Sequence, residues 1–301
     1  WACLCAFHLA CLFQEEGIVH IHAPWANGSA TAAWVAGRLT GIPFSFAVHA
    51  GDIYPPDGAL EEKVRDCVFV RSENHANVMH LRACVPGCET RTHTIYSGHP
   101  LREYSPRVPR MLPPFQILSL GRFVPKKGFD VLIHACGIMK ASGLDFRLAL
   151  GGWGPGASRL QRLVRELDLS NQVRFPGFIR YDQVPEFLAT GDLFVMPSVI
   201  DSSGDRDGIP NVIVEALLSG LPVVATDVCG ISEVIRDEET GLLVPPGDAR
   251  ALAHAISRVF RNPSWAMDLA RRGRALIVEE FDLERNCRRI LELFDELIPG
   301  P

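Results

Sequence analysis

The stretch Asp207-Gly-Ile-Pro-Asn-Val-Ile-Val-Glu215-Ala-Leu-Leu-Ser-Gly-Leu-Pro-Val-Val-Ala225 constrains the fold of this 301-residue chain more than any other. Gly208 and Pro210 form a turn, Pro210 suits the first helical position, and Asn211 to Leu218 continue as a mostly apolar helix closed by Gly220. The run Leu221–Ala225 is short, apolar and β-branched, the composition of a buried parallel strand, so the chain reads as α/β. Free N–H groups at such a helix start attract phosphate, and a carboxylate one or two turns further in accepts from vicinal hydroxyls. The fitting ligand carries both phosphate and sugar. An isolated D-x7-E spacing equally describes an ordinary turn aspartate and a surface glutamate, so the neighbouring segments decide.

Two of them agree with the ligand reading. Ser119-Leu-Gly121-Arg122-Phe-Val-Pro-Lys-Lys127-Gly-Phe-Asp130 follows an expected strand, Phe115–Leu120, and opens an expected helix, Asp130–Met139, which sets cations at a strand-to-helix edge. The corner Gly151-Gly152-Trp-Gly154-Pro-Gly156 again follows an apolar strand, where glycine lets the backbone approach a bound group.

In this order the segments resemble the nucleotide-sugar-binding half of glycosyltransferase family 4, which has the double-Rossmann GT-B fold, two domains facing each other across a cleft. The family's E-x7-E pair matches Asp207 and Glu215, its diphosphate-holding arginine and lysine match Arg122 and Lys127, and its G-x-G corner matches Gly152 and Gly154. Thr226–Ile235 and Thr240-Gly-Leu-Leu-Val-Pro-Pro-Gly-Asp248 resemble the family's following loop and turn, so the likeness covers about residues 111–290. One departure is visible: the first glutamate of the pair is Asp207 here, one methylene shorter. The resemblance implies a retaining, metal-independent hexosyltransferase using a UDP- or GDP-linked sugar and a glycan or lipid-linked glycan acceptor, with no cofactor. It assigns Arg122 and Lys127 to the leaving diphosphate, Asp207 to sugar hydroxyls and Glu215 to the ribose. Further donor contacts fall on Gly121, Gly152, Gly154, Gly208, Ile209, Pro210 and Asn211.

In the first part of the chain, Ile42-Pro-Phe-Ser-Phe-Ala-Val48 reads as a strand ending at His49, with Asp52 in the loop beyond. Side chains at the carboxyl end of a parallel strand face the ligand crevice, and the resemblance gives His49 a contact with the donor sugar. The expected division is a partial acceptor-side domain over 1–104, truncated at its start, a proline-rich linker over 105–114, the nucleotide-sugar domain over 115–281, and a closing helix over 282–301 that returns to the first domain.

Other features bound the reading. A hydrophobic share of 47% describes a protein with a sizeable core, and a net charge of −5 argues against a broad nucleic-acid footprint. Ala2–Phe13 is apolar but too short to span a bilayer and reads as a core helix. Nine scattered cysteines fit a reducing compartment, so the expected location is cytoplasmic, with room for a peripheral contact at the inner membrane face. His20 and His22 share one strand face, and Cys3, Cys5, His8, Cys11 and His80, Cys84, Cys88, His93 form two further groups, but none has a metal site's ligand spacing. Two other classes stay open: a non-catalytic nucleotide-sugar-binding module, and an unrelated Rossmann dinucleotide enzyme, whose G-x-G-x-x-G spacing the Gly152 corner misses.

Overall fold

A computed structural model of the chain describes residues 2–56 and 58–298; the outer ends of the expected first and last segments, Trp1 and residues 299–301, lie outside them. The described residues hold ten strands: β1 Ile21–Ala23, β2 Phe44–Val48, β3 Val70–Ser72, β4 Thr92–Thr94, β5 Phe115–Leu120, β6 Phe146–Gly151, β7 Val173–Gly177, β8 Leu193–Met196, β9 Val223–Thr226 and β10 Leu242–Val244. They form a four-stranded sheet in the order β1-β2-β3-β4 and a six-stranded sheet in the order β10-β9-β8-β5-β6-β7, with every neighbouring pair parallel. The fold is α/β and of the GT-B type, built from two Rossmann-like units.

The first compact unit comprises residues 1–98, 203–208 and 283–301, and the second comprises 99–202 and 209–282. In the first, all five residues of β2 are buried, because helices cover both faces of a parallel sheet and leave no strand face in water. The helix Gly28–Thr40 lies on β1 and β2, and its glycine cap, Gly41, takes the left-handed conformation at φ 77°. The closing helix Leu283–Leu297 packs Leu293 with Phe69 and Ile95. The first helix, Ala2–Glu15, differs from its expected core placement. It buries only Ala6 and Ala10, and Leu4 stays 69% exposed, because it meets Gly28–Thr40 through small side chains.

In the second unit, β8 and β9 are buried throughout, and Phe146, Ile117, Leu132, Ile133 and Met139 form the centre of the core. The chain passes outward from β5 to β6 and β7, then returns to the other side of β5 for β8, β9 and β10. The order therefore reverses between β5 and β8, and an open α/β sheet offers its ligand crevice outside the carboxyl ends of the strands at that point. Residues 105–114 have no regular structure and lie on the second unit: the Arg107 N–H donates to the Ser219 carbonyl at 3.2 Å, and Asp192 accepts from the N–H groups of Met111 and Gln116. No helix of the described residues is long and apolar enough to cross a membrane.

Candidate functional site

At the switch point of the second unit the backbone is packed tightly enough to exclude side chains. A Cβ added to Gly152, at φ 125°, would stand 1.9 Å from the Gly121 carbonyl oxygen. One at Gly154, at φ 153°, would stand 2.7 Å from the Phe123 nitrogen, and one at Gly128 would stand 1.9 Å from the Pro197 oxygen. The loops after β5, β6 and β8 thus touch through glycine, and hydrogen bonds fix them: Gly121 N–H to Gly151 O, Gly152 N–H to Gly177 O, and Phe123 N–H to Trp153 O. The Lys127 stem runs past Gly121, with Cε 3.4 Å from where a Cβ would sit. Arg122 is exposed beside it. A cavity of about 240 Å³ opens here, lined by Leu120, Gly121, Arg122, Gly152, Trp153, Phe178 and Ile179. Trp153 and Phe178 are 62% and 64% exposed, large aromatic surfaces left in water at its mouth.

Ile209 and Pro210 are buried, and Pro210 caps the helix Asn211–Leu218 at φ −61°, ψ 123°, with no side-chain hydrogen bond to the first turn. The Pro210 carbonyl accepts from the Ile213 N–H at 2.9 Å, and the cap side chain takes none of the leading N–H groups. Glu215 lies on this helix and is 6% exposed; burial pushes its carboxyl above the usual range, and the Tyr104 hydroxyl opposes that rise. His99 is buried and hydrogen-bonded to the Asn211 side chain, and burial pushes its pKa down to about 4, so it is neutral at pH 7.

In the first unit, His49 directly follows β2 and caps the short helix Ala50–Ile53. Asp52 is buried and accepts from three donors: the N–H of His49 at 3.1 Å, the N–H of Ala26 at 3.3 Å and the Asn27 side chain at 3.4 Å. The buried Lys63 ammonium donates to the Ala26 carbonyl, so the loop after β1 is held at both backbone groups of one residue. That loop brings the Trp25 ring to 4.3 Å from the His49 ring. Two carboxylates flank the imidazole, Asp52 at 3.5 Å from Nδ1 and Glu73 at 3.6 Å from Nε2. The Ser97 hydroxyl donates to Glu73, whose carboxyl burial pushes up while His49 pulls it down.

The D-x7-E motif is divided between the units: Asp207 and Gly208 belong to the first, Ile209 to Glu215 to the second. Asp207 is buried, and a Cβ on Gly208 would meet the Asn74 side-chain nitrogen at 2.8 Å and Glu73 at 3.4 Å. Sequence reading passed over Glu73, Tyr104 and Phe178. Glu73 follows β3 directly, and the rule that singled out His49 would have found it. Tyr104 had no local signal. His20 and His22 share one hydroxyl, both ring nitrogens standing 2.7 Å from Ser45 Oγ. Among the described residues no group of three or more His, Cys, Asp or Glu side chains is gathered as a metal site would require.

Comparison with known proteins follows the same lines. The family described as glycosyl transferases group 1 matches residues 103–276. The chain is 34% identical over 202 residues to the putative colanic acid biosynthesis glycosyltransferase WcaL of Escherichia coli, covering 66% of this chain and 50% of that protein. It is also 34% identical over 184 residues to the amylovoran biosynthesis glycosyltransferase AmsK of Erwinia amylovora, covering 61% of this chain and 45% of that protein. The chain thus spans about half the length of these curated relatives. Among solved structures, Anabaena Alr3699/HepE in complex with UDP and glucose superposes with a TM-score of 0.82 at 21% identity, covering 97% of this chain and 81% of that one. Sucrose-phosphate synthase from Thermosynechococcus elongatus does so with a TM-score of 0.80 at 24% identity, covering 97% and 77%. With more than half of its length matched by the family, the chain belongs to the glycosyl transferases group 1.

Proposed function

We propose that this member of the glycosyl transferases group 1 transfers a hexose, with retention at the anomeric carbon, from a UDP- or GDP-linked donor to a hydroxyl of a glycan or lipid-linked glycan. The observation that carries the reading is the glycine-walled corner of the second unit, where Gly152 and Gly154 let the loops after β5 and β6 close on each other beside Arg122, Lys127 and an approximately 240 Å³ cavity. A nucleoside diphosphate needs those three things together: close backbone, cations and an aromatic-edged slot for a base. As the glycosidic bond breaks, the leaving diphosphate gains charge, and Arg122, Lys127 and the helix start after Pro210 stabilise it in place of a metal. Glu215 accepts from the ribose, Asp207 holds sugar hydroxyls, and His49 contacts the sugar. Gly208, Ile209 and Asn211 contact the donor through the turn and the first helical residue. UDP and glucose in the solved relative and the polysaccharide-biosynthesis names of WcaL and AmsK support a donor and product of this class.

Calorimetry with UDP, GDP, ADP and the free nucleosides tests it. Lys127→Ala and Arg122→Ala should each weaken the diphosphate by about 1.5–3 kcal/mol and leave nucleoside binding nearly unchanged, because each removes a cation facing phosphate oxygen. Equal losses for nucleoside and diphosphate would remove both residues from the phosphate site.

A further inference from the structure

Tyr104 is 3% exposed and ends the short turn Leu101–Glu103, where the chain joins the second unit. Its hydroxyl is fully buried and closes no hydrogen bond of full geometry, although the Glu215 carboxyl and the Tyr181 phenol lie within interaction range. Burying a hydroxyl without a partner costs about 1–3 kcal/mol, and phenylalanine would fill the same space without that penalty. Packing alone does not explain the oxygen. The charged group acting on it most strongly is the Glu215 carboxyl, followed by the neighbouring Tyr181 phenol, which itself reaches Glu103 at 3.5 Å.

The chain just after Tyr104 is tied to the helix that carries Glu215. The Arg107 N–H donates to the Ser219 carbonyl, and the Ser219 hydroxyl donates to the Glu215 carbonyl, so the linker is tied to the helix that carries the carboxylate. Gly220, at φ 79°, lets the linker lie close: a Cβ there would stand 3.1 Å from the Arg107 oxygen. A phenol whose pKa burial raises remains a proton donor at any working pH. A carboxylate has room for about four donors, and two vicinal hydroxyls of a ribose leave positions for a third.

We propose that Tyr104 is a positioning residue for ribose recognition: with a nucleotide bound it donates to Glu215, fixing the carboxylate so that its remaining lone pairs meet the 2′ and 3′ hydroxyls. This rests on the assignment of Glu215 to the ribose. Tyr104 gives the site discrimination between ribonucleotides and dideoxynucleotides without touching the ligand.

The test is calorimetry on the 301-residue chain, using the tightest binder of UDP, GDP and ADP and its 2′,3′-dideoxy form. Tyr104→Phe should weaken the ribonucleotide about tenfold and the dideoxynucleotide less than about twofold, since a hydrogen bond to a charged group is at stake. In a Glu215→Gln background the same substitution should add less than about twofold, because the two residues act as one unit. Glu215→Gln/Tyr104→Phe losses that simply multiply would overturn the proposal, as would a Tyr104→Phe loss equal for both nucleotides. If Glu215→Gln weakens the ribonucleotide and Tyr104→Phe does not, the proposal fails while the ribose assignment stands. If neither variant matters, or no nucleoside diphosphate binds, the assignment of Glu215 fails with it. A melting temperature for Tyr104→Phe close to that of the parent separates these outcomes from a folding defect.

Discussion

The two units build their candidate sites from different materials. In the second, the corner around Gly121, Gly152 and Gly154 is made of backbone: carbonyls and N–H groups brought together because no side chain stands between them. In the first, the cluster around His49 is made of side chains, with Asp52, Glu73, Ser97 and Trp25 arriving from the ends of β1, β2, β3 and β4. A backbone site is rigid and intolerant of added atoms; a side-chain site is set by hydrogen bonds and tolerates added atoms better than lost partners.

The largest expected effect breaks that contrast if it fails to appear. Gly152→Ala places a methyl group 1.9 Å from a carbonyl oxygen at a φ that only glycine takes readily, so it should destabilise the second unit by about 3 kcal/mol or more and abolish nucleoside diphosphate binding. Gly208→Ala in the first unit meets the nitrogen of the buried Asn74 side chain at 2.8 Å, a single side-chain atom rather than a backbone wall, and should cost about 1–2 kcal/mol through strain on the helix cap that Asn74 provides. Denaturant unfolding followed by hydrogen exchange in each unit checks both; equal costs would erase the distinction between backbone and side-chain walls.

A smaller effect is expected from Asp52→Asn. The carboxylate accepts from three N–H groups, and an amide offers one acceptor oxygen, so about 2 kcal/mol should be lost. Hydrogen exchange should accelerate at Ala26 and His49, while nucleoside diphosphate affinity stays unchanged. A drop in that affinity would mean that the side-chain cluster contributes to nucleotide binding after all.

The last expected effect is on acid stability, and it sharpens the comparison because each unit holds a histidine that burial pushes well down, half-buried His20 in the first and buried His99 in the second. Burial pushes His20 in the first unit and His99 in the second down from 6.5 to about 4. The unfolded chain therefore binds more protons than the folded one between those values, and stability should fall as pH drops from about 6.5 toward 4. Each histidine contributes at most about 1.4 kcal/mol per pH unit in that window. His99→Gln should flatten the acid limb for the second unit alone, read by exchange at β5 and β8 amides; a flattening shared by both units would show that they do not open independently.

The parts of the two candidate sites differ in how far they could be read from residue order. Strand β5 and the helix Asn211–Leu218 match their expected spans because apolar runs and glycine punctuation are local signals. The cation pair Arg122 and Lys127 and the G-x-G corner each lie between a strand, β5 or β6, and the helix after it, a spacing visible in the residue order. Glu73 was within reach, since it stands at a strand end just as His49 does. Tyr104 was not: nothing around it in the sequence announces that the chain is laid against Ser219 and Gly220.

By itself the sequence determined that the chain forms buried parallel strands with glycine corners in an α/β fold, because strand burial, turn conformation and helix starts are decided by neighbours within a few residues. Only the tertiary structure decided that Asp207 and Gly208 join the first unit while Glu215 stays in the second, that Glu73 flanks His49, and that the buried Tyr104 phenol, just ahead of the linker, interacts with the Glu215 carboxyl. Those pairings join residues tens of positions apart. Such contacts exist only once the strand order is set, which is a property of how the sheets close rather than of any local run of residues.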